Sequence, residues 1–253
     1  MLGYIFSSTL KEMLSFRKLA GWLLVILIVG GLGYGWITLR QTQVSPLATF
    51  SGLMEIMGFR LVGLFAAVFS TTVIAAEVEQ RTIVYLLTRP IPRWQLLVGR
   101  TLAAMVAVGL LSSLLVLVIY AVSTKGASNT SALIQDLGVV WLGGAANCAL
   151  FVFFSLILNR SLIYCLLFTF GWEVFVPNMP GELFYASIYS HMKALSAYEV
   201  GSSVDTGAIV NAAAAPIQHP VAIAVLSGIA VVGLILSAFW FTQFEYVPRE
   251  DAE

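Results

Sequence analysis

The sequence predicts an all-α, polytopic membrane protein with about six transmembrane helices, and three observations carry that prediction. Of the 253 residues, 59% are hydrophobic and only 10% are charged, whereas a soluble domain carries roughly 25% charged residues. Too few charges are present to cover a water-facing surface. Those charges punctuate the chain at intervals of about 20 residues, the length a helix needs to cross the hydrocarbon core. Lipid also offers the backbone no hydrogen-bond partner, so an apolar run of that length must be helical.

Each element follows in order. In residues 1–17, Leu2, Ile5, Phe6, Thr9, Leu10, Met13 and Leu14 recur at helical spacing. That pattern predicts an amphipathic helix lying along the inner interface. Lys11, Arg17 and Lys18 then precede an apolar run too long for the core of a cleavable signal, so it reads as an uncleaved first span. This span covers 19–39, with Trp22 and Trp36 near its ends as interfacial anchors. The second covers 53–76 and is interrupted by Arg60, and the third covers 101–123, between Arg100 and Lys125. The fourth covers 137–158, between Asp136 and Arg160, and the fifth follows at once over 161–178. The sixth covers 221–242, after Pro220. Cys148 and Cys165 fall inside apolar runs and read as buried free thiols. One membrane domain over 1–253 accounts for the chain and leaves no stretch for a separate soluble enzyme.

The basic residues predict orientation. With the N-terminus cytoplasmic, nine face inward: Lys11, Arg17, Lys18, Arg81, Arg89, Arg93, Arg100, Arg160 and Arg249. Three face outward, Arg40, Lys125 and Lys193, and with Arg60 in the membrane these account for all 13. The positive-inside rule then puts both termini in the cytoplasm of a multi-pass protein of the inner (plasma) membrane. The outer segment 179–219 contains Leu183, Phe184, Ile188, Met192 and Leu195, which suggest a short amphipathic helix. A Gly/Ser/Ala-rich stretch follows it. Net charge is zero and no basic block occurs, so nucleic acid has no electrostatic footprint here.

The inner connection over 77–100 is much longer than a hairpin between spans requires. Glu77 and Arg81 stand four apart in the favourable order for a helical ion pair. That helix should stop before Pro90, because the residue preceding proline disfavours helical geometry. Pro90 and Pro92 make a stiff turn, and Trp94 marks re-entry. The result is a short cytoplasmic helix between spans 2 and 3, displaying Tyr85, Leu86 and Leu87 among charges and joined rigidly to both spans.

This loop resembles the signature of ABC-2 type permeases, the membrane subunits of a class of ABC exporters. Glu77 and Glu79 supply the acidic pair, Thr82 the threonine, and Leu86 and Leu87 the leucine pair. Arg89-Pro90 and Arg93 supply the basic turn, and Gly99-Arg100 the end. Arg81 stands where glycine is common, and Arg100 where lysine is common. The motif covers about 24 residues, and span count and loop lengths extend the likeness over the whole chain. The resemblance implies the compact six-span form with a separate ATPase, which would dock on Glu77, Glu79, Arg81, Thr82, Tyr85, Leu86, Leu87, Arg89, Pro90, Pro92 and Arg93. It further implies a second permease chain, as a homodimer, with ATP and Mg held by the ATPase. The outer segment 179–219 is a candidate contact for a further protein, and membrane lipid surrounds the spans. No G-x-x-x-x-G-K-[ST] phosphate loop occurs, so ATP has no such site in this chain.

Within the spans, Arg60 and Glu173 read as the buried charges. Counted at about 1.5 Å per residue from the inner ends, they lie roughly 25 Å and roughly 18 Å up. Long side chains bridge that difference if spans 2 and 5 pack together, so an Arg60–Glu173 pair is one reading. Separate snorkelling to the outer interface is a second, and contact with substrate a third. Gly31 and Gly35 form a G-x-x-x-G, which permits close helix approach within the chain or across a dimer. His191 and His219 are read as outer surface histidines, since neither has metal-ligand spacing.

The leading function is therefore the permease subunit of an ATP-driven exporter, which forms the substrate pathway as a dimer. The alternative is a scaffold that anchors an ATPase without its own pathway. An intramembrane enzyme needs Ser with His, paired Asp or a metal set within the spans, and this sequence does not place such a set there.

Overall fold

The computed structural model describes residues 2–40, 46–79, 92–124, 130–158, 160–179, 182–196 and 217–243. Among them every element is helical and no strand occurs. Six helical segments are long and apolar enough to cross a membrane. They contain α2 (Phe16–Arg40), then α3 (Pro46–Leu53) running into α4 (Phe59–Glu79), α5 (Arg93–Thr124) and α6 (Thr130–Ile157). The fifth is α7 (Ser161–Leu167) continued by α8 (Glu173–Phe175), and α10 (His219–Gln243) is the sixth. Two short helices flank this set: α1 (Leu2–Met13) and α9 (Ile188–Leu195).

The helices run past the apolar stretches that predict them. The second starts at Pro46 and the fourth at Thr130, so Asp136 falls inside helix. Helical hydrogen bonding costs nothing extra where the chain leaves lipid for the polar interface, so a boundary drawn at the last apolar residue falls short.

α6 is the hub of the packing and contacts α4, α5 and α10. More than half of the span windows in α3–α4, α5 and α6 is buried, at 61%, 61% and 56%, against 17% for α2 and 22% for α10. The bundle therefore has a three-span centre with α2 and α10 at its rim. Lipid tails are as apolar as leucine, so close van der Waals fit is what holds such helices together. The fit rests on glycines. A Cβ at Gly109 would stand 2.7 Å from the Trp141 ring, whose Nε1 donates to Ser113 Oγ at 2.9 Å. A Cβ at Gly233 would come within 3.1 Å of the Ala149 backbone.

In α2 the inward face carries Gly30 and Gly33, which meet Val118, Leu53 and Val122 of the same chain. Gly31 and Gly35 have nothing within 4 Å of where a Cβ would stand. Among the described residues the G-x-x-x-G thus takes no part in packing within the chain. The Trp22 ring is turned onto α4, 5.2 Å from Phe65 and 5.9 Å from Phe69. α1 buries Thr9 and Met13 and leaves Lys11 and Glu12 exposed, and it packs on α5. Cys148 and Cys165 are free and buried.

Two spans are interrupted by a π turn, at Met54–Gly58 in the second and Phe168–Trp172 in the fifth. Such turns carry one residue more than a regular helix and concentrate at functional sites. Gly58 accommodates the first, since a Cβ there would lie 2.8 Å from the Met54 sulfur.

Gly233→Val should lower the stability of the detergent-solubilised protein by about 1–3 kcal/mol, the usual cost of overpacking. Gly31→Ala should leave it unchanged. Thermal unfolding monitored by circular dichroism separates the two.

Candidate functional site: a helix clasped at one end of the bundle

The two ends of the bundle differ. At one end α4 finishes and α5 begins, flanking the loop on which the sequence places the docking residues. Glu77 and Glu79 belong to the last turns of α4, and Pro92 is exposed just ahead of Arg93, which opens α5. Arg81, Thr82, Tyr85, Leu86, Leu87, Arg89 and Pro90 lie outside the described residues, as do the side chains of Glu77, Glu79 and Arg93. Arg100, at the end of the motif, donates from Nη1 to the Val73 carbonyl at 3.0 Å. That bond fastens α5 to α4 close to the loop they share.

At the opposite end, α9 folds back against α4, α6 and α10 and buries Ile188, Tyr189, Ser190, His191, Met192 and Leu195. An isolated eight-residue helix is not stable in water, so its neighbours must hold it. Its first turn presents amides without helical acceptors. Ser187 Oγ accepts from Ser190 N at 3.2 Å and donates to Glu173 Oε2 at 2.6 Å. Glu173 Oε1 accepts from Ile188 N at 3.1 Å, and Oε2 also accepts from Tyr189 N at 2.8 Å. A single buried carboxylate from the fifth span thereby caps α9, and its charge sits favourably at the positive end of the helix.

Other spans grip the same helix. Tyr189 Oη donates to the Glu55 carbonyl at 3.0 Å, and Lys193 pairs with the Glu55 carboxylate at 2.5 Å. Met192 packs directly on Gly143 of α6. Gln135 of α6 donates to the Leu195 carbonyl.

Arg60 and Glu173 do not form the ion pair that is one of the sequence readings. Spans 2 and 5 do pack together: a Cβ at Gly63 would lie 2.8 Å from Thr169 Cγ2. Glu173 is nevertheless taken by three donors at the start of α9, and the Arg60 guanidinium lies over the Tyr189 ring, 5.9 Å from its centroid. Both charges are drawn to one segment and to different atoms of it. His191 is likewise no surface histidine. It is 2% exposed, with Nδ1 2.9 Å from the Ser187 carbonyl, an arrangement that requires a proton on Nδ1. His219 is exposed at the start of α10.

Sequence reasoning misses Glu55, Asp136, Ser187 and Tyr189. Glu55 lies inside the second span by its sequence bounds, so its charge is signal enough. Ser187, a good N-cap residue just before an apolar-periodic run, is a second legible signal. Asp136, a span boundary by its charge, is fully buried in α6. Among the described residues no group of three His, Cys, Asp or Glu side chains converges as a metal site would require.

Glu173→Ala leaves a hydroxyl and two amides to find new acceptors in a buried place, and should destabilise the protein by about 2–3 kcal/mol. Lys193→Ala breaks a pair whose side chains are 42% and 38% exposed, and should cost less than about 1 kcal/mol. Chemical unfolding in mixed micelles tests the ordering.

Residues 11–245 match a family model described as an ABC-2 family transporter protein. A search of curated proteins finds no match. The match covers all six spans, the intervening loop and the clasped helix, and the chain therefore belongs to the ABC-2 family as a membrane permease subunit of an ABC transporter.

Proposed function

We propose that this chain is the permease subunit of an ATP-driven exporter, that it forms the substrate pathway with a second copy of itself, and that a separate ATPase drives it through residues 77–100. The observation that carries the reading is the family match over 11–245, which includes that loop. Both termini and the loop face the cytoplasm in this proposal, in accord with the distribution of basic residues. ATP and Mg belong to the partner, which docks on Tyr85, Leu86 and Leu87 with Glu77, Glu79, Arg81, Thr82, Arg89, Pro90, Pro92 and Arg93 around them.

Force must pass from the docked ATPase into the spans. The Arg100–Val73 bond supports that role, because α4 and α5 are tied where the loop leaves them. A push on the loop then tilts the pair together. Homodimerisation is supported by α2, whose span window is only 17% buried and whose Gly31 and Gly35 are open to a close neighbour. The outer segment 179–219 serves as the contact for a further protein in the same reading.

Affinity purification of the tagged chain should recover an ABC ATPase. Leu86→Asp with Leu87→Asp should reduce that recovery by about tenfold or more, as expected when central apolar contacts of an interface are lost. Full recovery with the double variant would remove the docking assignment. Single cysteines placed in 80–91 should react with an impermeant maleimide only after the membrane is opened. Labelling in intact cells would reverse the orientation. Hydrolysis stimulated by a cargo in the reconstituted complex would favour transport over scaffolding.

A further inference from the structure

We infer that Glu173 and the π turn ahead of it form a releasable joint, through which the fifth span holds or frees α9 at the end of the bundle opposite the docking loop. The inference deepens the exporter reading and rests on it for the source of motion.

Both π turns stand beside the residues that hold α9. Glu173 is the first residue after Phe168–Trp172. Glu55 lies inside Met54–Gly58, and Arg60 is the second residue after it. A π turn holds one surplus residue, and passing it along the helix restores regular bonding where it stood and rotates the residues it passes by about 100°. In the fifth span that rotation carries Glu173 off the Ser187 hydroxyl and the amides of Ile188 and Tyr189. The carboxylate is the cap of α9 from outside its own segment. Losing it returns two first-turn amides to an unpaired state and loosens the start of the short helix, whose hold then rests on Glu55, Gln135 and the packing of Met192.

The turn is also connected to the other end. Thr169, inside the π turn, sits against Gly63 with room for no Cβ between them. Gly63 belongs to α4, the helix that runs on to Glu77 and Glu79 and is bonded to Arg100. Displacement of α4 therefore bears directly on the turn that positions Glu173. The Met192–Gly143 contact, by contrast, joins α9 to α6 by packing alone and reports whether α9 is seated.

The test uses that contact. In the full chain with its co-purified ATPase in vesicles, Cys148 and Cys165 are replaced by Ala, and Gly143→Cys and Met192→Cys are introduced. Met192 Cγ lies 2.7 Å from where a Cβ at position 143 would stand, close enough for a disulfide. Oxidation with copper phenanthroline should cross-link the pair rapidly without nucleotide. Trapping with ADP and vanadate should slow it by about tenfold, the scale expected when a buried acceptor of several hydrogen bonds is withdrawn. Glu173→Ala should be slow in both conditions, and Glu173→Gln, which keeps one carbonyl acceptor, should fall between. An unchanged rate on trapping, with hydrolysis intact, overturns the joint and makes α9 a fixed brace. So does a Glu173→Ala chain that cross-links as fast as its parent. Should that variant fail to fold, the trapping comparison decides, since it needs no change at Glu173. If no vanadate-sensitive hydrolase co-purifies, the exporter reading falls by itself, and the Glu173→Ala rate in the chain alone judges the joint.

Discussion

A backbone amide or carbonyl in lipid has no water to turn to, and this constraint organises the molecule from its spans to the short helix α9. It makes each apolar run a continuous helix, and it obliges every break in a helix to be closed by atoms of the chain. The two π turns meet that obligation by rearranging bonds, so neither span opens its backbone. α9 meets it differently, because its first turn lies buried and needs acceptors from elsewhere. Glu173 and Ser187 provide them. A carboxylate, costly in a membrane when alone, becomes tolerable where three donors surround it.

The same bundle uses two kinds of fastening. At the loop end a guanidinium reaches a main-chain carbonyl, and α1 lies along α5. In the centre, glycines bring α5, α9 and α10 close against α6, with no polar chemistry needed. At the far end polar groups from the second, fourth and fifth spans meet one short helix. Rigid packing thus joins a fastened loop end to a hydrogen-bonded far end. Packed helices shift as bodies, while a hydrogen-bonded cap is either made or broken.

Much of the fold is legible in the order of residues. Charge spacing locates all six helical spans, since a run without charge for about 20 residues has few other fates. Periodicity finds α1 and the neighbourhood of α9. The ends of spans are less legible: Asp136 reads as a boundary because it is charged, yet it lies buried in α6. Trp22 reads by its type as an interfacial residue, and only the packed bundle shows its ring set against Phe65 and Phe69. The glycine pair in α2 shows the same limit. Gly30 and Gly33 face the chain and Gly31 and Gly35 do not, and only the rotation of α2 in the assembled bundle selects between them.

By itself the sequence determined the membrane class, the number of spans and the family likeness. These depend on local composition and order, because transfer into lipid is decided segment by segment. Only the tertiary structure decided where Glu173, Arg60, Glu55 and His191 find their partners. Such pairings depend on helix rotation and on two surplus residues stored in π turns. No local pattern encodes the atom that will lie opposite a side chain once six helices have packed.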